Sequence, residues 1–274
     1  MSSINSILEI KNLTVTIGAK RVIDDVSLQL LSGEITALVG ESGSGKTMMA
    51  LSIMGLLPTV TRISGGDTLF RGEKMPEASS EAMRCIRGND IAIVFQEPFT
   101  ALNPVMRVGS QIAEAIAIHS NASRGAINKK VDELLETVKL PATVGLRYPH
   151  ELSGGMRQRV MLAMGLSCCP SVLILDEPTT ALDVSVQKHI LDLIIQIQKA
   201  RRMAVPFITH DFSIVNTIAD KVCVMCKGKL IEKGTKDDVL KRPEHEYTRQ
   251  LIACIPRLGD KRARLPVIDE KVFK

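Results

Sequence analysis

The sequence predicts an α/β protein with a mostly parallel sheet, an antiparallel β portion at its N-terminus and a mostly helical insert. Three observations predict it. The first 35 residues alternate apolar and polar positions. The run Glu34-ITALVG is continuously apolar and passes through a glycine-rich loop into a helical pattern, the start of an α/β unit. Two later apolar runs, SVLILDEP and VPFITH, bracket a helical stretch, VQKHILDLIIQIQKA, as strands and crossover helices alternate in a parallel sheet.

Taken in order, Leu8, Ile10, Leu13 and Val15, then Val22, Val26, Leu28 and Leu30, mark short strands with Gly18 and Ser32-Gly33 at turns. The helix after the glycine-rich loop is expected from about Lys46 to Leu57, closed by Pro58. Residues 64–95 read as further strands, with room for a short helix in the polar stretch Glu73 to Arg87. From about Thr100 to Met164 the pattern turns helical, because MRVGSQIAEAIAIHS and KKVDELLETVKL carry apolar faces of period 3.6. No internal repeat, low-complexity segment or long heptad array interrupts the chain. One domain is expected over 1–274, with a helical subdomain at about 99–165 and a C-terminal extension at about 241–274.

Composition narrows the function classes. The 274 residues carry 35 Lys+Arg against 30 Asp+Glu, a net charge of +5, with 45% apolar and 24% charged residues. That profile is far from disorder. The longest apolar run, Met48 to Leu57, has ten residues and includes a serine, whereas a membrane-spanning helix needs about 20. MSSINSILEIKN lacks the basic-then-apolar profile of a secretory signal, so a cytoplasmic chain is expected. The basic residues Arg257, Lys261, Arg262, Arg264, Lys271 and Lys274 read as a solvated tail. With two tyrosines, six phenylalanines and no basic, aromatic-interleaved patch, no nucleic-acid partner is expected.

The six cysteines do not read as a disulfide framework. Cys223 and Cys226 have CxxC spacing but lie in KVCVMCKG, which reads as a strand. Positions i and i+3 of a strand face opposite ways, so the sulfurs should diverge and serve packing.

Chemistry is concentrated at four places. Gly40-Glu41-Ser42-Gly43-Ser44-Gly45-Lys46-Thr47 matches GxxxxGK[ST] and lies between a predicted strand and a predicted helix. Its glycines allow backbone N–H groups to converge on one anion, and the helix N-terminus adds partial positive charge there. Lys46 is placed for β- and γ-phosphates and Thr47 for Mg²⁺; the loop predicts binding of a nucleoside triphosphate. Asp176 and Glu177 end a buried strand, where ligands sit in open α/β sheets. Asp176 is expected to hold Mg²⁺ through water, and Glu177 to act as general base on the attacking water. His210 ends VPFITH on the same side and is expected to reach the γ-phosphate or that water. The other histidines (119, 150, 189, 245) sit in polar stretches and receive no role. Ser153-Gly154-Gly155 precedes a helical pattern and forms a second helix-N-terminal anion site, suited to nucleotide held by another subunit.

With these motifs the chain resembles the ATP-binding subunits of ABC transporters over nearly its whole length. The resemblance rests on a Walker A loop at Gly40–Thr47, Gln96 of a Q-loop in VFQEP, the signature LSGGM, a Walker B strand ending Asp176-Glu177, a D-loop at Ala181-Leu182-Asp183 and a switch His210. The fold so implied is a P-loop NTPase core whose helical insert carries the ABC signature. The resemblance implies ATP and Mg²⁺ as cofactors and adds Gln96 to the catalytic and metal-binding residues. It also implies head-to-tail pairing of two such subunits, each ATP lying between one Walker A loop and the other subunit's Ser153-Gly154-Gly155.

FQEPFTALNP, YPHELSGGMRQRV, DEPTTALDVSVQ and RPEHEYTRQLIACIP look like the dipeptide, oligopeptide and nickel importers. That likeness implies two permease subunits, a second ATPase subunit of the same or a different kind, and an extracytoplasmic binding protein reached indirectly. It places the chain peripherally on the cytoplasmic face of the inner membrane, with the region Gln96 to Asn103 against a permease loop. Peptides and nickel or metal chelates both remain open as cargo. The rival readings are a soluble ABC-type ATPase of DNA repair or translation, and an exporter ATPase; the first usually carries long coiled-coil or zinc insertions that this chain lacks. Two departures stand out. Ile17 occupies the place of the family's adenine-stacking aromatic, which leaves either looser base selectivity or a contact from another residue. Cys254 stands alone in the late segment, so no iron–sulfur cluster is expected.

Overall fold

A computed structural model describes residues 6–96, 101–180 and 182–254. Two sheets organise the chain. The first is antiparallel, with strand order β2-β1-β4-β5, from β1 (Ser6–Ile17), β2 (Lys20–Leu31), β4 (Thr61–Phe70) and β5 (Glu73–Lys74). The second has the order β10-β9-β3-β8-β7-β6. Its strands β3 (Ile35–Val39), β6 (Ile91–Val94), β7 (Val172–Asp176), β8 (Val205–Thr209) and β9 (Lys221–Cys226) run parallel, and β10 (Lys229–Thr235) closes one edge antiparallel.

β1 and β2 are each 12 residues long, not the short strands expected. Their pairing slips at several points, and Asn12 and Asp25 take positive φ. Bulges of this kind interrupt the alternation and hide the length of the strands from a period-2 reading. The helix after the phosphate loop, α1 (Lys46–Ile53), is shorter than expected. It ends before Pro58 because Gly55 takes φ +59, while the Arg87 guanidinium donates to the carbonyls of Met54 and Gly55 at 2.7 and 3.0 Å. The polar stretch does hold a short helix, α2 (Glu81–Ile86).

The helical part comprises α3 (Val108–Ala117), α4 (Arg124–Thr137), 3₁₀ turns at Ala142–Leu146 and Pro149–Glu151, and α5 (Gly154–Gly165). Val108, Ile112 and Ile116 of α3 and Val131, Leu134 and Leu135 of α4 fall on single faces and are buried. The long α6 (Val184–Arg201) joins β7 to β8, and α7 (Phe212–Ile218), α8 (Lys236–Lys241) and α9 (Glu246–Ala253) follow among the described residues.

Burial follows the layers. β3, β7 and β8 are buried at every position, as strands covered on both faces must be. Leu38, Ile174 and Ile208 pack towards α1 and the antiparallel sheet, while Leu175, Val205 and Phe207 pack towards α5 and α6. Cys223 joins the first of these clusters and Cys226 a third cluster with Ala37, Val39, Val215 and Tyr247. The two sulfurs therefore lie on opposite faces of β9, as a strand requires. Burial pushes the Cys223 thiol up to about 12. Among the described residues no helix is long and apolar enough to cross a membrane.

Candidate functional site

Four neighbouring parallel strands deliver the site. β3 runs into the loop 40–45, β8 ends one residue before His210, β7 ends at Asp176, and β6 ends two residues before Gln96. Because the strands are parallel, all four ends open on one edge of the sheet.

The loop closes tightly on its neighbours. Gly40 has φ +151, and a Cβ there would lie 2.2 Å from the Met225 carbonyl oxygen of β9, so only glycine fits. Gly228, in the β9–β10 turn, has φ +83 and donates its N–H to the Ser44 carbonyl at 3.0 Å. Its own carbonyl accepts from Asp24 N–H at 2.9 Å, so this turn staples the loop to β2.

Lys46 is 5% exposed, and its Nζ donates to the carbonyls of Gly40 and Glu41, both at 2.8 Å, and to Ser44 Oγ at 3.2 Å. Burial pulls its ammonium below the ordinary lysine range, against the nearby charges of Glu177, Asp176 and Glu41. Thr47 Oγ1 donates to Asp176 Oδ1 at 3.3 Å. Asp176 is buried, and desolvation pushes its carboxyl up, with the Thr47 hydrogen bond opposing. A buried carboxylate beside a hydroxyl is a hard oxygen pair suited to Mg²⁺, which completes its shell with water and phosphate oxygens rather than a protein cage. No group of three or more His, Cys, Asp or Glu suited to a metal occurs among the described residues.

Glu177 takes φ +46, an uncommon conformation for a non-glycine residue that sites of chemistry tend to retain. Its carboxylate is engaged on both oxygens. Gln96 Nε2 and Thr180 Oγ1 donate to Oε2 at 3.0 and 2.9 Å, and His210 Nδ1 lies 3.1 Å from Oε1. The structure thus brings Gln96, Glu177 and His210 together, beside the Lys46–Thr47–Asp176 group.

The cleft around these residues has a volume of about 760 Å³. It is also lined by Lys20, Arg21, Lys227 and Gly228, which sequence reading did not single out. Lys20 and Arg21 open β2, and Lys227-Gly228 form the β9–β10 turn; only the packing of one sheet on the other's edge brings them here. Their charge suits an anionic ligand. Ile17 is 40% exposed and is not among the lining residues.

Ser153-Gly154-Gly155 does not line this cleft. Ser153 caps α5, its Oγ accepting from Met156 N–H at 3.4 Å. A Cβ on Gly154 would sit 3.4 Å from Leu182, and one on Gly155 would sit 2.5 Å from Val186 Cγ1. The signature therefore packs on the start of α6, just after the D-loop; Ala181 of that loop lies outside the described residues, as do residues 97–100 and the tail from 255.

One reading of the histidines is corrected. His119 was expected in polar surroundings, but α3 ends by carrying it into a mostly apolar groove of about 350 Å³ beside Phe95, Ile118, Met161 and Met164.

Comparison with known proteins agrees with this geometry. A family profile described as "ABC transporter" matches residues 23–180, and one described as "Oligopeptide/dipeptide transporter, C-terminal region" matches residues 231–273. The glutathione import ATP-binding proteins GsiA of Shigella boydii serotype 4 (strain Sb227) and Escherichia coli (strain K12) are each 46% identical over 266 residues, covering 93% of this chain. The chain spans 43% of the length of these relatives. Among solved structures, cbiO1 from Clostridium perfringens, part of the ABC transporter complex cbiONQ, superposes with TM-score 0.78 at 29% identity, covering 88% of this chain and 92% of that one. The ATP-binding cassette MJ0796 bound to ADP and Pi shares the fold, with TM-score 0.74 at 24% identity over 84% of this chain and 98% of that one. With the motifs at the ends of the sheet and the family match across its core, the chain belongs to the ABC transporter family.

Proposed function

We propose that this chain hydrolyses ATP to power a multi-subunit importer for cargo of the peptide class. The observation that carries the reading is the Glu177 carboxylate, held by Gln96, Thr180 and His210 at the mouth of the Lys46 loop.

In this reading the N–H groups of Gly40–Thr47 and the Lys46 ammonium bind the β- and γ-phosphates. Thr47, Asp176 and the amide oxygen of Gln96 would hold Mg²⁺, which would supply neutralisation of the phosphate charge. Glu177 takes a proton from the attacking water, a role commonly worth about 10²–10⁴ in rate. His210 orients that carboxylate through Nδ1, leaving Nε2 for the water or the γ-phosphate. Gln96 and Thr180 fix the other oxygen, so the base is aimed before the nucleotide arrives.

Ser153-Gly154-Gly155 serves a second ATPase subunit, its helix N-terminus closing on the partner's nucleotide. The partners are that subunit, of the same or another kind, two permease subunits and, indirectly, an extracytoplasmic binding protein. The permease contact falls on the region Gln96 to Asn103. The chain then sits peripherally on the cytoplasmic face of the inner membrane. Peptide-class cargo is supported by the C-terminal region match and by the glutathione import relatives.

The test is recovery of tagged Glu177→Gln protein from detergent-solubilised native membranes with ATP present. Two multi-span proteins in the eluate are expected, and a distinct second ATPase would make the pair heteromeric. Recovery of soluble proteins or nucleic acid alone would remove the importer and leave the ATPase.

A further inference from the structure

Tyr247 belongs to the late segment of the chain, 206 residues from the phosphate loop in sequence, yet its hydroxyl oxygen accepts the Glu41 N–H at 3.3 Å. The ring is 1% exposed, packed with Val39 of β3 and Val224 and Cys226 of β9. Because the hydroxyl oxygen accepts from Glu41, its own proton points elsewhere, and the Cys226 thiol shares a hydrogen bond with it. Burial keeps the phenol protonated at any working pH.

The position of Glu41 N–H matters. It belongs to the same peptide unit as the Gly40 carbonyl, which accepts from Lys46 Nζ at 2.8 Å. In a trans peptide the N–H and the C=O point in opposite directions. Tyr247 therefore grips one side of the unit that Lys46 grips from the other. The helix carrying Tyr247 is itself pinned. Glu232 of β10 accepts the N–H groups of Glu244 and His245 at 2.8 and 3.1 Å, and His245 caps α9 by accepting from Tyr247 N–H at 3.1 Å.

We propose that Tyr247 is a positioning residue for nucleotide binding: through the Gly40–Glu41 peptide it sets where Lys46 rests, and so ties the C-terminal segment to the phosphate loop. This rests on the reading of Gly40–Thr47 as the ATP site. Removing the hydroxyl while keeping the ring loosens a contact made before and during the reaction, so KM should change and kcat should not.

The experiment compares the full chain with Tyr247→Phe, Thr248→Val and Lys46→Ala, measuring ATP hydrolysis, binding of a fluorescent ATP analogue and thermal unfolding. Thr248 is the control, a fully buried neighbour on α9 whose hydroxyl has no partner. Tyr247→Phe should raise KM and the nucleotide Kd about threefold to tenfold, the worth of one net hydrogen bond, with kcat within about twofold. Thr248→Val should leave KM unchanged.

A wild-type KM in Tyr247→Phe, with Lys46→Ala defective, overturns the inference and spares the ATP site. Equal KM increases in Tyr247→Phe and Thr248→Val also overturn it, because helix stability then explains both. Wild type and Lys46→Ala alike inert towards ATP take down the site and the inference together. A second measurement needs no change at Tyr247. The chain has two tyrosines, so fluorotyrosine labelling gives two ¹⁹F signals, assigned with Tyr148→Phe. The Tyr247 signal should shift on saturation with ATP, and an unmoved signal refutes the coupling.

Discussion

The two proposed anion sites of this chain are built to different degrees of completeness. At Gly40–Thr47 the chain supplies the loop, the lysine, the acid pair and the orienting groups, each with a bonded partner inside the molecule. At Ser153–Gly155 it supplies a helix cap and two glycines packed on Leu182 and on Val186 of α6, and these three residues do not line the cleft. A site finished by its own chain can be tested on dilute protein. A site that is only a helix end needs a ligand delivered on another surface, so its defects should depend on protein concentration.

The sharpest break of that comparison is Glu177→Gln. It should lower hydrolysis by about 10²–10⁴ and leave ATP binding intact, as single-turnover assays and nucleotide titration can record; wild-type turnover would remove the assigned base. Next, Lys46→Ala should weaken ATP binding about 10-fold to 100-fold, the worth of hydrogen bonds from a charged donor, even at high dilution.

Asp176→Asn should separate stability from function. Burial raises the Asp176 pKa above its unfolded value, so the native state holds the proton more readily than the unfolded chain. The group's stabilising contribution is thus present at low pH and lost as pH rises through its folded pKa. At neutral pH the nucleotide-free variant should therefore melt a few degrees higher than wild type, with Mg²⁺-dependent hydrolysis abolished. The gap should narrow as pH falls into the ordinary carboxylate range, and scanning calorimetry along a pH series would show it. The smallest effect is expected of Ser153→Ala. It should cost about 1 kcal/mol of stability through the lost cap and leave ATP affinity at dilution unchanged. A large loss of affinity in dilute protein would erase the distinction between the two sites.

The degree to which the sequence could be read follows the same division. Residues 40–47 were legible because a phosphate loop is local: strand, turn and helix lie within a few residues, and each glycine has a steric reason. Asp176, Glu177 and His210 were legible because parallel strands gather their C-terminal ends. Lys20, Arg21, Lys227 and Gly228 were not, since a hairpin turn carries no mark of what its sheet will rest on. Tyr247 was equally hidden: it stands in the polar run His245-Glu246-Tyr247-Thr248-Arg249, and only the fold aims its hydroxyl at Glu41. The long β1 and β2 strands were misjudged because bulges reset the alternation that reveals a strand.

The order β3-β8-β7-β6 carries a last consequence. Neighbouring strands lie about 4.8 Å apart, so the four loop-bearing ends span about 14 Å. Backbone hydrogen bonding is thus the ruler that spaces phosphate loop, histidine, acids and glutamine. Any one loop can be exchanged in evolution without moving the other three, whereas a change that tilts a strand must disturb all of them at once.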